Sequence, residues 1–296
     1  MRTPLVRLHV DAPCEIWLKL ENLQPIASFK IRGAANAVRS ADPAELEHGL
    51  VTASAGNMAQ GVAWIARELG LPATIAVPEH APDTKVAAIE RLGGTVKRVP
   101  YAEWWSYIEE SRVDGMDGLF IHPVQDERVI AGNGTTGLEI LEDLPEFDAV
   151  LVPYGGGGLV TGIASAIRAA KPEARVYAVE PEGGAALTAA MTAGEPVDID
   201  FQPSFVDGSG SRCVLPSMWP RVSALVDGAF SIPIDEVAAA VKLLAERARI
   251  VAEGAGALST AAALAGLAGE GRVVCVVSGG NIDVSKLGPI LAGQTP

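Results

Sequence analysis

Short β-branched runs recur along this chain, and longer alanine- and leucine-rich stretches separate them. Runs at 15–20, 50–52, 73–77, 95–99, 119–122, 149–153, 175–179 and 273–277 read as strands. Stretches at 30–38, 58–69, 83–92, 129–143, 159–170, 234–248 and 255–266 read as helices. Most of the strand runs are continuously apolar, whereas strands of a half-exposed antiparallel sheet would alternate apolar with polar residues. The expected fold is therefore α/β, with central parallel strands covered on both faces by helices. The uncharged stretch from Ala149 to Ile167 is long enough to cross a bilayer. Pro153 and four consecutive glycines divide it into strand, loop and helix, so no membrane segment is read there.

Length and composition narrow the class. At 296 residues, 49% apolar and 20% charged, the chain is globular and of one large domain or two. A formal charge of -13 argues against a nucleic-acid partner, which would require a basic stripe, and reads as solubility. Cys14, Cys213 and Cys275 are odd in number and form no CxxC pair. Neither a disulfide framework nor a cysteine metal site is indicated, and a reducing cytoplasm is the expected location. The first residues, Met1-Arg2-Thr3-Pro4-Leu5, carry no apolar signal-peptide core, so export is not expected. His9, His48, His80 and His122 show no metal-ligand spacing and read as structural or exposed.

In open α/β sheets ligands sit beyond the carboxyl ends of strands, in the loops that feed helix N-termini. Three such loops are rich in Gly, Ser and Asn: Thr52-Ala53-Ser54-Ala55-Gly56-Asn57, Tyr154-Gly155-Gly156-Gly157-Gly158, and Ser278-Gly279-Gly280-Asn281. Gly155 to Gly158 follow a strand and precede the helix opening at Leu159. Backbone N–H groups of side-chain-free residues, with the helix N-terminus behind them, make an anion site. A nucleotide is the competing ligand, since Glu180 ends the next strand where a ribose-binding acid would stand. The dinucleotide spacing fails, because Val160 or Thr161 occupies the position of its third glycine, and no GK[ST] follows for a P-loop. Lys30 opens a helix, where the macrodipole disfavours a cation. A lysine held next to positive partial charge or out of water has a lowered pKa and attacks aldehydes, although a lone lysine is ordinarily a solvated surface residue.

Taken together, these segments resemble the fold-type II pyridoxal-phosphate family that contains threonine dehydratase and serine racemase. Glu21-Asn22-Leu23-Gln24-Pro25 and Ser28-Phe29-Lys30-Ile31-Arg32-Gly33-Ala34 are similar to the family's Schiff-base segment, with Ala27 where glycine is common. The resemblance implies that Lys30 carries pyridoxal 5'-phosphate, that Ser54, Ala55, Gly56 and Asn57 hold the substrate carboxylate, and that Asn57 also reaches the cofactor's 3′-oxygen. It implies that Gly155, Gly156, Gly157, Gly158 and Leu159 take the phosphate and that Ser278 meets the pyridine nitrogen. Phe29, Gly279 and Glu253 would line the cofactor, Glu253 being equally an acid favoured at a helix N-terminus. Asp207-Gly208-Ser209-Gly210 resembles a further cofactor-lining loop.

The fold implied is two open, twisted, mostly parallel sheets flanked by helices, with the cofactor between a large and a small domain. The large cofactor-binding domain would comprise 1–47 and 126–296, and the small substrate-binding domain 48–125. The activity implied is that of a dehydratase, an ammonia-lyase that converts L-threonine or L-serine to a 2-keto acid and ammonia. A homodimer and a small amino-acid substrate complete the expectation. A neutral hydroxyl at Ser278 does not enforce a pyridinium, which favours β-elimination over transamination. Racemisation needs a second acid/base on the face opposite the lysine, where the family's racemases have serine and this chain has Ala55. Serine or hydroxyaspartate racemase/dehydratase activity is the alternative within the family. β-Replacement and a non-catalytic nucleotide-binding module are the alternatives outside it. Met58 and Val124 replace a usual histidine and phenylalanine, which shifts the expected substrate preference. For a divalent or monovalent cation Glu180 is the candidate ligand, but Ala186 stands in place of a downstream acid, so no metal is assigned. With 18 residues after Ser278, no appended regulatory domain is expected.

Overall fold

The computed structural model describes residues 1–296. In chain order its elements are β1 (Leu5–Arg7), β2 (Glu15–Leu20), α1 (Lys30–Arg39), β3 (Leu50–Ala53), α2 (Asn57–Leu69), β4 (Ala73–Pro78), α3 (Asp83–Arg91), β5 (Thr95–Val99), α4 (Tyr101–Glu110), β6 (Leu119–Phe120), α5 (Glu127–Asp143), β7 (Ala149–Pro153), α6 (Gly158–Ala170), β8 (Arg175–Pro181), α7 (Ala186–Ala193), α8 (Trp219–Leu225), β9 (Gly228–Ile232), α9 (Ile234–Leu243), α10 (Gly254–Leu264), β10 (Arg272–Val277) and α11 (Val284–Leu291). The chain forms two compact units, one of Met1–Phe29 with Gly134–Pro296 and one of Lys30–Asn133.

The first unit carries a six-stranded sheet in the order β1-β2-β10-β7-β8-β9, parallel except for the β1–β2 pair. Every residue of β7 is buried, as are all of β10 after Arg272. Alternate side chains of these strands enter two different cores. Ala149, Leu151, Val273, Cys275 and Val277 join α9 and α10 on one side, while Val150, Val152, Val274 and Val276 join α6, α7 and α8 on the other. The continuously apolar runs thus have the cause expected of them, two covered faces. Each of the buried valines and leucines among them contributes about 1.5–3 kcal/mol on burial.

The second unit carries a four-stranded, wholly parallel sheet in the order β5-β4-β3-β6. Leu50, Ile75 and Val77 pack with α1, α2 and α3, whereas Val51, Ala53 and Ala76 pack with α4. Helix α1 presents Ile31, Ala34, Ala37 and Val38 along one buried face. At Gly33 a Cβ would stand 2.7 Å from Val129 Cγ1, so the first half of α5 lies directly on α1. Packing therefore assigns α1 and the first half of α5, through Asn133, to this unit. Its limits fall at 29/30 and 133/134 rather than at 47/48 and 125/126.

Several elements extend or correct the sequence reading. Strand β6 stops at Phe120 instead of His122, because His122 turns inward and its ring binds the next two N–H groups. Helix α5 starts at Glu127, two residues early, where Asp126 Oδ1 accepts from Arg128 N at 2.8 Å. The stretch 234–248 is α-helical only to Leu243 and finishes in a π-turn, Leu244–Ala248, closed by Arg249 at φ 60°. Strands β1 and β9 and helices α4, α7, α8 and α11 add to the elements expected from the sequence. Edge strand β5 puts Lys97 and Arg98 outward, which discourages pairing with another chain.

One buried charge was also unforeseen. Lys19, in β2, is wholly inaccessible. Its Nζ donates to Glu139 Oε2 at 2.6 Å and to Thr3 O at 2.7 Å, with Asp143 Oδ2 at 3.6 Å. The N–H of Thr3 donates to the same Glu139 oxygen, and its hydroxyl to buried Glu21. The N-terminal segment is so tied to the second half of α5. Removing one partner strands a buried charge, so Lys19→Ala is expected to lower unfolding free energy by about 3–5 kcal/mol. Lys19→Met combined with Glu139→Leu should cost much less. Denaturant melts of the three proteins measure the coupling, and equal losses in both variants would dismiss it.

Candidate active site

In the first unit the candidate residues gather at the carboxyl ends of β7 and β10. The run Tyr154-Gly155-Gly156-Gly157 leaves β7 and enters α6 through Gly157, whose φ of +95° lies in the region that favours glycine. Helix α6 has no side-chain cap and no acid in its first turn, although Gly158, Leu159 and Val160 are buried there. Backbone N–H groups at a helix end of this kind favour an anion. Across from it, Gly210 N donates to Tyr154 O at 3.1 Å and Ser209 Oγ donates to the same carbonyl. A Cβ at Gly155 would lie 3.5 Å from Gly208 O, so the 207–210 loop flanks the glycine loop. Tyr154 is fully buried beneath it, and burial pushes its phenol well up.

The end of β10 is fastened to the segment that leads into Lys30. Phe29 N donates to Ser278 O at 3.0 Å, Gly280 N to Ala27 O at 2.9 Å, and Asn281 Nδ2 to Ile26 O at 2.8 Å. Ser28 and Gly279 form an antiparallel bridge, and Ser278 is buried. Glu253, the N-cap residue of α10, donates its N–H to Gly279 O. A Cβ at Gly279 would come within 2.4 Å of Glu253 Oε1, and one at Gly208 within 3.3 Å. Glu253, Gly279 and the 207–210 loop are therefore neighbours. Ala27, in the place where glycine is common, holds φ 53°, so an alanine bears a conformation that glycine adopts without strain.

In the second unit Lys30 is the first residue of α1, whose first turn contains no acid. Its Nζ donates to Pro123 O at 2.6 Å. Desolvation lowers the ammonium's pKa to about 8, which makes the neutral, nucleophilic amine accessible near neutrality. Helix α2 begins at Asn57, again with no side-chain cap and no acid in its first turn. Ser54 Oγ accepts from Gly56 N at 3.2 Å and shapes the loop ahead of that helix end. One turn on, a Cβ at Gly61 would lie 3.3 Å from Lys30 O, so α2 meets α1 along the face that Asn57 shares.

Other residues fall elsewhere. Met58 is buried in the core with α1 and does not line an opening. Both oxygens of Glu180 are taken by the head of α7: Oε1 accepts from Leu187 N at 2.9 Å, and Oε2 from Thr188 N and Thr188 Oγ1 at 2.8 Å. Burial raises its pKa, and those hydrogen bonds oppose the rise. Glu180 is thus a helix cap, and no group of three or more His, Cys, Asp or Glu residues is arranged to hold a metal. The sequence reading missed Pro123, because it acts through its backbone carbonyl. It also missed the part played by His122, which carries no distinguishing spacing.

A chain with this fold, an uncapped helix end behind four glycines and a desolvated lysine is matched over residues 1–279 by the family described as pyridoxal-phosphate dependent enzyme. The chain belongs to that family. Within it, the chain is 41% identical over 279 residues to an L-threonine ammonia-lyase of Thermotoga maritima, covering 94% of this chain and 70% of that one. It is 37% identical to a catabolic L-threonine dehydratase of Staphylococcus aureus, covering 98% and 87%. The structure of maize serine racemase superposes with a TM-score of 0.91 at 32% identity, over 99% of this chain and 92% of that one. The two mostly parallel sheets flanked by helices are the fold-type II architecture, and the cofactor of the family is pyridoxal phosphate.

The strain at Ala27 gives one test. Ala27→Gly is expected to raise unfolding free energy by about 0.5–1 kcal/mol, the relief of the left-handed backbone less the greater entropy of unfolded glycine. A destabilised variant in chemical melts would show that the φ is not strained. Lys30 gives another. In cofactor-free protein, labelling of Lys30 by an amine-reactive reagent, followed by peptide mass spectrometry, should rise with pH through a midpoint of about 8. Below it the ammonium is protonated and unreactive. A midpoint in the ordinary lysine range would disprove the desolvation.

Proposed function

We propose that the chain eliminates water from a small β-hydroxy amino acid, L-threonine or L-serine, and yields a 2-keto acid and ammonia. The observation that carries this reading is the Lys30 amine, desolvated to a pKa of about 8 and hydrogen-bonded to the Pro123 carbonyl. The names of the relatives, L-threonine ammonia-lyase and L-threonine dehydratase, support the same substrate class.

The residues fit pyridoxal phosphate. The α6 end lacks an internal cap or acid, and Gly157 adopts a φ that other residues rarely take. In this reading Gly155, Gly156, Gly157, Gly158 and Leu159 hold the phosphate with backbone N–H groups. The Ser278 hydroxyl would meet the pyridine nitrogen and Asn57 the 3′-oxygen, and Phe29, Gly279 and Glu253 would line the ring. When bound, the cofactor supplies an electron sink for the pair left at Cα. Lys30 would carry the cofactor, and its Nζ, an amine poised near working pH, would take the substrate's α-proton. Ser54, Ala55, Gly56 and Asn57 orient the substrate carboxylate at the head of α2. Ala55 has no proton to give, so transfer at Cα proceeds from the lysine's side alone and elimination prevails over racemisation. The unit of Met1–Phe29 and Gly134–Pro296 serves chiefly the cofactor, and that of Lys30–Asn133 the substrate. The same proposal includes a homodimer working in the cytoplasm, where three free cysteines are at home.

The purified protein, incubated with a panel of β-hydroxy amino acids, should release keto acid from threonine or serine and form no D-serine. Lys30→Ala should lose both the visible colour of the bound cofactor and turnover. Colour and turnover surviving in that variant would sink the assignment, and dominant D-serine formation would replace dehydration by racemisation.

A further inference from the structure

We propose that His122 is a positioning residue for the reacting amine: its ring holds the turn that sets the Pro123 carbonyl against Lys30 Nζ. The inference rests on the reading of Lys30 as the cofactor lysine.

The turn after β6 is fixed at its start, since Ile121 N donates to Val51 O at 2.8 Å and Thr52 Oγ1 donates to Ile121 O at 2.8 Å. His122 follows, 3% exposed. Its Nδ1 accepts from Val124 N and from Gln125 N, each at 3.0 Å, while Nε2 lies 3.1 Å from Ile108 O in α4. An imidazole that accepts at Nδ1 must carry its proton on Nε2, so Nε2–H donates to Ile108 O and the ring is neutral. Burial favours that state and lowers the His122 pKa to about 4. The charge of Lys30 acts in the same direction, and the Ile108 carbonyl and Asp126 oppose it.

The link to Lys30 is a single peptide group. The Pro123 carbonyl and the Val124 N–H share one rigid plane and, in a trans peptide, point in opposite directions. Fixing the N–H on the His122 ring therefore aims the carbonyl. The pyrrolidine locks φ of Pro123, which leaves ψ as its soft dihedral, and the ring's hold on Val124 and Gln125 removes that freedom. The carbonyl accepts from Lys30 Nζ at 2.6 Å. A lysine amine rotates freely at the end of a flexible stem, and one fixed acceptor restricts where its lone pair can point. Orientation of this kind matters most for proton transfer, where misplacement by about 1 Å costs on the order of 100-fold.

Two substitutions separate positioning from mere structure. His122→Phe keeps the ring and removes the acceptor. His122→Asn keeps an acceptor that reaches N–H groups two and three residues on, as asparagine does in Asx-turns. With H122F the loosened turn admits water, so the midpoint of Lys30 labelling in cofactor-free protein should rise by about one pH unit. In the holoenzyme kcat should fall roughly 10- to 100-fold at little-changed KM. With H122N the midpoint should stay in place and kcat within about threefold of the parent, because the turn is rebuilt. Folded H122F with the parent's midpoint and kcat would overturn the proposal. So would equal kcat losses in both variants with an unmoved midpoint, the mark of a purely structural histidine. Should H122F fail to fold, H122N alone decides, since a loss in kcat above about tenfold there is incompatible with a rebuilt bracket. The labelling is done without cofactor and does not depend on the function of Lys30. Activity surviving in Lys30→Ala would remove the reading of the lysine while leaving the midpoints to judge the turn.

Discussion

The antiparallel bridge between Ser28 and Gly279 is the constraint from which the placement of the chemistry follows. It joins two segments some 250 residues apart in sequence, so no local propensity produces it. Its footing is β10, paired on both sides and buried on both faces, so the strand end that carries Ser278 and Gly279 cannot drift. Phe29 N on Ser278 O, Gly280 N on Ala27 O and Asn281 Nδ2 on Ile26 O then fix the approach of the chain to its next residue, Lys30. Glycine at 279 is imposed by Glu253 Oε1, and glycine at 256 by the Gly279 carbonyl, which a Cβ would meet at 2.3 Å. The strain at Ala27 is the cost of closing the same turn without a glycine.

A second consistency is electrostatic. The chain carries a net charge of -13, and α3, α4, α5 and α9 all begin with acids, the arrangement that complements a helix macrodipole. Where the protein has its own anion to offer it also uses it, as Glu180 does at α7 and Asp283 at α11. Helices α2 and α6 have neither acid nor side-chain cap at ends approached by glycine-rich loops, a bareness they share with α8 and α10. At α2 and α6 the glycine-rich approach accompanies that bareness, and backbone N–H groups at such ends favour an anion.

Much of this was legible in the amino-acid order. The continuous apolar runs at 149–153 and 273–277 announced central strands because two cores impose the same demand on alternate residues. Glycines 155–158 announced a loop because four residues without side chains in a row have few other uses. The allegiance of α1 was not legible, since its apolar face says only that something covers it, and Gly33 against Val129 is a contact seen in three dimensions alone. Pro123 escaped for a similar reason. Its contribution is a carbonyl, which every residue has, and only the fold decides which one meets the lysine.

Two lysines state the same limit most sharply. Lys19 and Lys30 stand eleven positions apart and are chemically identical, yet the fold gives them opposite surroundings. Lys19 is met by Glu139, Asp143 and the Thr3 carbonyl, a set that fastens β2 to the second half of α5. Lys30 is met by the Pro123 carbonyl, and the loss of water around it draws its pKa down to about 8. Holding the charged form there costs roughly 3 kcal/mol relative to water. That penalty makes the neutral amine available near neutrality.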